Sequence, residues 1–340
     1  MAKVAINGLG RIGRVAFRIL VDRPDLELVA ANDLVDPDDL AYLIQFDSVH
    51  GRFPKPIRVD GKHLVVDGTR CQVLNEKDPA ALPWGELGVD LVFECTGFFD
   101  TREALEKHLQ AGAKRVILSA PAQGPGVPTV VHGVNRADPA ERIISCASCT
   151  TNCVTPVVEV LDRRIGVLKA MMSTTHAYTS TQKLLDTALK NPRRGRSAAV
   201  NLVPASTGAA RATAKVLPKL AGKFDGLAIR APVPSGSIAL IVLLTARKTS
   251  VEEVNRILRE EAETERYRDI LAVAEAPLVS SDVLGDCRAS IVDAEMTQVV
   301  DGDLVQVASW YDNEWGYACQ MIKEGARILK EAATAQRLAA

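Results

Sequence analysis

The sequence predicts an α/β protein in two parts: a doubly wound parallel sheet, then an α+β half with a mainly antiparallel sheet. Three observations predict it. Strand-like and helix-like segments alternate through about the first 120 residues, the rhythm of βαβ units. A glycine-rich turn separates the first strand from the first helix. Later, strand-like runs at 167–175, 227–230, 236–245, 289–293 and 304–311 dominate, with helical segments between some of them. A chain of 340 residues is long enough for both parts and a sizeable core.

Composition narrows function by exclusion. A formal net charge of −1 argues against nucleic-acid and membrane partners. The longest apolar run, Ile238 to Ala246, is too short to span a bilayer. Met1 to Asn7 runs straight into a strand pattern with no secretory signal. The seven scattered cysteines therefore read as reduced thiols in a cytoplasm.

In chain order, Val4-Ala5-Ile6 is a short buried strand and Asn7-Gly8-Leu9-Gly10-Arg11-Ile12-Gly13 follows at once. Arg14 to Val21 has helical spacing, and Leu26 to Ala31 is a second strand ending in Asn32-Asp33. Gly8, Gly10 and Gly13, set between strand and helix, let backbone approach a pyrophosphate whose charge faces the helix N-terminus. Asp33 lies about 20 residues beyond Gly13. It can accept hydrogen bonds from a ribose diol and repels a 2′-phosphate, which favours NAD over NADP. The unit is thus a Rossmann-type dinucleotide site. Gln45 to Asp67 breaks the rhythm as an irregular or hairpin insertion. A strand at 89–94, a helix at 101–111 headed by Thr101 and a strand at 113–118 restore it. Ligands sit at the carboxyl ends of parallel strands, which makes Thr96 and Ser119 cofactor candidates.

Ser145-Cys146-Ala147-Ser148-Cys149-Thr150-Thr151-Asn152-Cys153 joins the apolar run at 142–144 to an amphipathic run at 154–161. It reads as strand end, tight turn and helix start, with Ser148, Thr150 and Thr151 as capping candidates. A thiol in a helix's first turn feels unpaired N–H groups, which predicts a lowered pKa and makes Cys149 the candidate nucleophile. Cys153, four residues on, also fits a disulfide or half a metal site, but no second ligand pair follows and no metal is expected. The strand at 167–175 ends in His176-Ala177-Tyr178-Thr179. Among five histidines, His176 has the context of a base for Cys149, whereas His50, His63, His108 and His132 read as ordinary.

Thr187 to Val203 is polar and carries Arg193-Arg194-Gly195-Arg196, an anion-binding loop. Pro204 to Ala210 opens a helix to Leu217, a second helix N-terminus suited to phosphate. Arg230, on a strand, is a further anion candidate. A serine-capped helix at 250–262 and a last helix from Ala318 to about Leu329 complete the chain.

A dinucleotide site, a cysteine nucleophile and anion-binding arginines point to oxidation of a thiol-bound, phosphorylated aldehyde. Five motifs carry a closer likeness: Ile6 to Arg14, Ala147 to Cys153, His176 to Thr179, Ser206-Thr207-Gly208-Ala209-Ala210, and Trp310-Tyr311-Asp312-Asn313-Glu314-Trp315-Gly316-Tyr317. Through them the sequence resembles the phosphorylating (type I) glyceraldehyde-3-phosphate dehydrogenases along essentially its whole length. The resemblance implies that Cys149 attacks the aldehyde, that His176 takes the hydroxyl proton, and that inorganic phosphate cleaves the thioester. It implies Ser148, Thr150, Thr207 and Gly208, with Arg194, around that phosphate. It implies Thr179, Thr181 and Arg230 around the substrate phosphate, and Arg11, Ile12, Asp33, Lys77, Ser119 and Asn313 on NAD. It also implies an NAD-binding domain at 1–149 rejoined by a C-terminal helix at 313–340, and a catalytic domain at 150–312. The expected partners are a small-molecule substrate, inorganic phosphate and three further copies in a homotetramer. The segment from Tyr178 to about Val200 resembles the S-shaped loop that lies near a neighbouring subunit's cofactor.

Some positions depart from the family pattern. Leu9 replaces the usual phenylalanine. Thr187-Ala188 stands where strictly NAD-dependent members carry Leu-Pro, which opens NADP use despite Asp33. Ser237 to Ile241 lacks an aspartate usual near Ala239 or Leu240. The nearest rival is erythrose-4-phosphate dehydrogenase, whose pattern differs after the histidine. A cysteine hydrolase or acyltransferase would need no Gly8–Asp33 unit, and a non-enzymatic NAD-sensing scaffold would need neither Cys149 nor His176.

Overall fold

A computed structural model describes residues 1–339, and the chain divides into two compact units. The first comprises Met1–His132, Arg136–Ala147 and the chain from Ala318 onward; the second comprises Gly133–Asn135 and Ser148–Tyr317.

The first unit contains β1 (Ala2–Asn7), α1 (Arg11–Leu20), β2 (Leu26–Asn32), α2 (Pro37–Gln45), β3 (Arg58–Asp60), β4 (His63–Val66), β5 (Thr69–Leu74), α3 (Trp84–Leu87), β6 (Leu91–Glu94), α4 (Arg102–Gln110), β7 (Arg115–Leu118) and β8 (Ile143–Ser145). The sheet order is β3-β4-β5-β2-β1-β6-β7-β8. From β5 to β8 all neighbours are parallel. The chain leaves β1 for β2 on one side and later returns to β6 on the other, so the switch point lies at β1, where a doubly wound sheet takes its ligand. Val4, Ala5 and Ile6 of β1 are wholly buried, as the apolar run required.

The insertion is a hairpin extension. β3, β4 and β5 pair antiparallel and β5 joins the parallel sheet along β2. α2 escaped the sequence reading because it buries only Leu40 and Ile44, too few to show a period; Pro37 at its first position and Asp38 and Asp39 behind it start it. α1 begins at Arg11, inside the glycine motif and three residues earlier than its apolar spacing indicated. Thr101 caps α4, its Oγ1 accepting from the Ala104 N–H at 3.3 Å.

The second unit contains α5 (Cys149–Ile165), β9 (Val167–Ala177), β10 (Val203–Ser206), α6 (Ala209–Val216), β11 (Phe224–Ala231), β12 (Ser237–Thr245), α7 (Val251–Ala262), β13 (Leu271–Ala274), β14 (Ser290–Val300) and β15 (Leu304–Tyr311), after which α8 (Trp315–Ala339) begins. Its sheet runs β10-β11-β9-β12-β15-β14-β13, antiparallel except for β11 with β9 and β14 with β13. β13 is only Leu-Ala-Val-Ala, too short for alternation to mark it. Val154, Val157, Val158 and Leu161 of α5 share one core with Ala239, Ile241 and Leu243 of β12 and Val305 and Val307 of β15. α5 is therefore a central helix, held by apolar burial rather than by its surface.

From Ala318 on, α8 belongs to the first unit. A Cβ on Gly325 would come within 2.8 Å of the Phe93 ring of β6, so only glycine allows that approach. Buried Glu324 accepts from Arg327 (2.5 and 3.0 Å) and lies 2.8 Å from His132 Nδ1, fastening the helix electrostatically. Among the described residues no helix is long and apolar enough to cross a membrane.

Candidate active site

The thiol is presented by a strained turn. After β8 the chain passes through Cys146 and Ala147, and Ala147 is left-handed (φ +56°), unusual for a residue with a Cβ. Its N–H donates to Ser145 Oγ at 3.0 Å. Ser148 is the N-cap of α5, its Oγ accepting from the Thr151 N–H at 3.2 Å. Cys149 thus becomes the first residue of a buried helix.

Strand register supplies the base. β9 and β11 run parallel with His176 beside Arg230, at the end of β9. His176 Nε2 lies 3.4 Å from Cys149 Sγ. Nδ1 lies 2.7 Å from the Ala177 carbonyl and 2.5 Å from Arg230 Nη1. A guanidinium only donates, so bonding to Arg230 puts the imidazole proton on Nε2. Bonding to the carbonyl puts it on Nδ1 and leaves Nε2 open to accept from the thiol side. Arg230 also donates to the Ala177 carbonyl at 3.1 Å, so guanidinium and imidazole share that acceptor.

Tyr311 holds the pair together. Its ring stands edge-on to the His176 ring with centroids 6.0 Å apart. Its hydroxyl bonds Thr150 Oγ1 and Thr174 Oγ1, each at 2.9 Å, tying the first turn of α5 to the strand that carries His176. The sequence reading quoted Tyr311 within a motif and gave it no role. Its signal is a buried phenol, which needs a polar partner, and burial is not visible in a sequence.

Burial pushes the Cys149 thiol up, while the Arg230 charge and the Thr150 N–H pull the other way. The lowered pKa expected from the helix terminus alone is therefore corrected: desolvation of the sulfur outweighs the terminus in the free protein. Cys153 is a structural thiol. It lies wholly in the core, 3.8 Å from Ser290 Oγ and from the Ser309 carbonyl, and burial pushes it up to about 12. No disulfide joins the cysteines of the described residues.

Burial, and after it the Arg230 charge, pushes His176 down from 6.5 to about 4. Between those values the unfolded chain binds a proton that the folded chain does not, so stability falls as pH falls through that window. Urea unfolding at pH 7 and pH 4.5 should show a loss about 2 kcal/mol larger in the wild type than in His176→Asn. Equal losses would show that this imidazole is not the group titrating.

Of the anion candidates besides Arg230, Arg194 is tied electrostatically to this pair through Arg230. Arg194 sits in a short 3₁₀ turn, Pro192–Gly195, and its charge adds to lowering the Arg230 pKa. Thr179 and Thr181 bond each other at 2.9 Å just beyond β9. Thr207 Oγ1 accepts from the Ala209 N–H at 3.1 Å, and Gly208 heads α6 with no side-chain cap, leaving that terminus open to an acceptor. The Thr150 hydroxyl bonds Tyr311 at 2.9 Å, and both that hydroxyl and the Thr150 backbone N–H favour the thiolate of Cys149.

The first unit carries a cradle that fits a dinucleotide. Gly8 (φ +92°) lies so close to Thr96 that a Cβ would meet its N at 2.7 Å, and a Cβ on Gly13 would meet the Gly8 carbonyl at 1.9 Å. Gly10, by contrast, has nothing within 4 Å of a Cβ, which is the open side a pyrophosphate needs, at the head of α1. Asp33 follows β2, its Oδ2 accepting from the Leu9 N–H (2.6 Å) and its Oδ1 from the Val35 N–H (3.1 Å). Half-buried Ile12 follows in the first turn of α1. Exposed Lys77 follows Glu76, which Asn32 clasps through both backbone groups at 2.9 Å. Thr96 Oγ1 donates to Glu94 at 2.5 Å, and the Ser119 N–H donates to the Glu94 carbonyl at 2.9 Å.

Four residues here differ from or add to the sequence reading. Arg11 pairs its guanidinium with Asp47 at 2.6 and 3.1 Å, so what it offers a cofactor is its backbone N–H. His108 is not an ordinary polar-face histidine; it is wholly buried and bonds Trp84 and Glu94. Leu34 and Phe98, exposed just after Asp33 and Thr96, offer apolar surface to a flat base, and single exposed apolar residues leave no pattern to read.

In the second unit, Asn313 has its Oδ1 bonded by Ser237 Oγ (2.9 Å) and Ser235 Oγ (3.2 Å), which leaves its amide NH₂ as the outward group. The two serines also escaped the sequence reading. Thr187 bonds the Gly195 carbonyl at 2.8 Å through its N–H, so the departure at Thr187-Ala188 sits on a pinned backbone. Ala239 lies in the core and Leu240 is half-exposed on the opposite face of β12.

A family model described as "Glyceraldehyde 3-phosphate dehydrogenase, C-terminal domain" matches residues 148–313, and one described as "Glyceraldehyde 3-phosphate dehydrogenase, NAD binding domain" matches residues 2–102. The chain is 49% identical to the glyceraldehyde-3-phosphate dehydrogenase of Geobacillus stearothermophilus over 96% of this chain and 98% of that one. It is 49% identical to the enzyme of that name from Thermotoga maritima, over 97% of this chain and 100% of that one. It is 48% identical to glyceraldehyde-3-phosphate dehydrogenase 1 of Bacillus subtilis, over 97% of this chain and 98% of that one.

Proposed function

The chain belongs to the glyceraldehyde 3-phosphate dehydrogenase family, and on that premise we propose that it oxidises D-glyceraldehyde 3-phosphate to 1,3-bisphosphoglycerate with NAD and inorganic phosphate. The observation that carries this reading is Cys149 Sγ at the head of α5, 3.4 Å from a buried histidine that a strand-borne arginine touches.

His176 Nε2 takes the thiol proton as the sulfur adds to the aldehyde carbon and returns it to the carbonyl oxygen, giving a hemithioacetal. The same nitrogen then accepts the hydroxyl proton as hydride leaves. With its own pKa near 4, that imidazole is unprotonated at neutral pH and ready to accept. NAD, when bound, supplies the two-electron acceptor that converts the hemithioacetal to a thioester. Inorganic phosphate then attacks the acyl carbon, the C–S bond breaks, and Cys149 leaves as thiolate. The thioester keeps the oxidation energy that direct hydrolysis would lose. Arg230, with Thr179 and Thr181, holds the substrate phosphate. Ser148, the Thr150 N–H, Thr207, Gly208 and Arg194 receive the attacking one. Gly8, Gly10, Arg11, Ile12 and Gly13 hold the cofactor's pyrophosphate through backbone, and Asp33 its ribose. Lys77, Thr96 and Ser119 complete that side, and the Asn313 NH₂ holds the carboxamide.

The relatives' names favour the triose over erythrose 4-phosphate. A homotetramer is part of the proposal. The face of the second sheet turned away from its core exposes Met171 and Leu227 and half-exposes Leu240 and Val242, apolar surface that another copy would cover. Light scattering should give four chains; a monomer at micromolar concentration overturns that part. Cytoplasmic residence fits seven cysteines with no disulfide among the described residues.

The test is absorbance of reduced nicotinamide with glyceraldehyde 3-phosphate, NAD or NADP, with and without phosphate. Sustained turnover without phosphate would overturn the phosphorylating mechanism. Comparable NADP rates would shift weight from Asp33 to Thr187-Ala188.

A further inference from the structure

The first unit contains a buried polar relay that neither the sequence motifs nor the reaction requires. Glu94, the last residue of β6, is 0% exposed and both its oxygens accept. Oε2 accepts from Asn7 Nδ2 (2.6 Å) and His108 Nε2 (3.0 Å), and Oε1 from the Thr96 N–H (2.7 Å) and Thr96 Oγ1 (2.5 Å). An indole N–H can only donate, and Trp84 Nε1 lies 3.0 Å from His108 Nδ1. His108 therefore accepts there and carries its proton on Nε2, aimed at Glu94. His108 is also 0% exposed.

The partners of this carboxylate stand next to cofactor residues. Asn7 precedes Gly8, and Thr96 is the residue against which Gly8 packs. Asn7 Oδ1 accepts from Asn32 Nδ2 at 2.8 Å, and Asn32 precedes Asp33. Asn32 in turn clasps Glu76, which precedes Lys77. One carboxylate thus sets three loops that reach the cradle from the ends of β1, β2 and β6, and the clasp extends this to the segment after β5. A carboxylate that only satisfied its own strand end would need none of these reciprocal bonds.

We propose that Glu94 is a positioning residue for the dinucleotide cradle, and that His108, oriented by Trp84, acts through it. The proposal rests on the cofactor reading above and deepens it. Glu94 touches no reacting atom. It fixes the distance between Gly8 and Thr96 and the directions of Asp33 and Lys77. Its loss therefore weakens cofactor binding and leaves chemistry at Cys149 intact.

Titration calorimetry with NAD alone tests this without turnover. Glu94→Gln keeps the shape and sets an amide NH₂ against donors, so the NAD dissociation constant should rise about tenfold or more. The rate of Cys149 alkylation by iodoacetamide in cofactor-free protein and kcat at saturating NAD should change less than about twofold. His108→Gln can still donate to Glu94 while accepting from Trp84, and should keep near-normal affinity, whereas His108→Phe should lose it like Glu94→Gln. This pair decides the matter if Glu94→Gln does not fold. Wild-type affinity in Glu94→Gln, or equal affinity in the two His108 variants, overturns the proposal. Failure of the wild type to bind NAD would instead overturn the cofactor reading itself.

Discussion

Cys149→Ser should leave about one part in 10⁴ or less of the phosphate-dependent turnover. The two side chains differ by one atom and the site is already formed around a small group, so the fold tolerates the exchange. The chemistry does not. A hydroxyl at this position has to ionise in the same desolvated environment that pushes even the thiol up. An oxygen ester is also a poorer store of acyl-transfer energy than a thioester. Cofactor affinity should stay within about twofold, because all the residues assigned to the cofactor except Asn313 lie in the first unit and Cys149 is not among them. Iodoacetamide should then label the protein no faster than it labels the remaining thiols. Cys153→Ser is the control: Cys153 is sealed in the core, and its replacement should cost stability and not the reaction. More than about 1% residual turnover in Cys149→Ser would remove the covalent mechanism.

How much of this was legible before the structure depends on the range of the signal. The Gly8–Asp33 unit is local: three glycines, a strand before, a helix after and an acid at the next strand end. Each needs only its neighbours to be understood, and all occur in the order read, the helix starting three residues earlier than its apolar spacing indicated. A helix starting around Cys149 was legible for the same reason, with Ser148 as one of three capping candidates. What stayed hidden was set by pairing between distant segments. Nothing near Arg230 says that β11 will lie parallel to β9 with His176 alongside, and nothing near Tyr311 says that its hydroxyl will join Thr150 to Thr174. The thiol's upward shift and the Arg11–Asp47 pair have the same origin, since desolvation and ion pairing exist only once the chain has packed. His108 shows this most clearly. Its neighbours along α4 are mixed, Lys107 before it and Leu109 after, and its bonding partners are Trp84 and Glu94, 24 and 14 residues away.

His176→Asn should lower kcat by about 10²- to 10⁴-fold, the usual worth of a positioned proton acceptor. The argument turns on what asparagine cannot do. Its amide can still donate near the sulfur and so imitate one tautomer, but it cannot accept the hemithioacetal proton. The loss should therefore appear in kcat, with KM for NAD within about threefold of the wild type, since no cofactor residue bonds His176. Arg230 supplies the comparison. It touches the same imidazole through Nδ1, and in the proposed reaction it also meets the substrate phosphate. Arg230→Leu should raise KM for glyceraldehyde 3-phosphate while lowering kcat less than His176→Asn does. The two variants thus separate proton transfer from substrate holding at residues 2.5 Å apart. If His176→Asn kept kcat within tenfold and lost substrate affinity instead, the imidazole would be a binding group, and the base would have to be sought elsewhere. Nothing else beside the sulfur fits that role: Tyr311 is pushed well above the ordinary tyrosine range by burial and is engaged by two threonines.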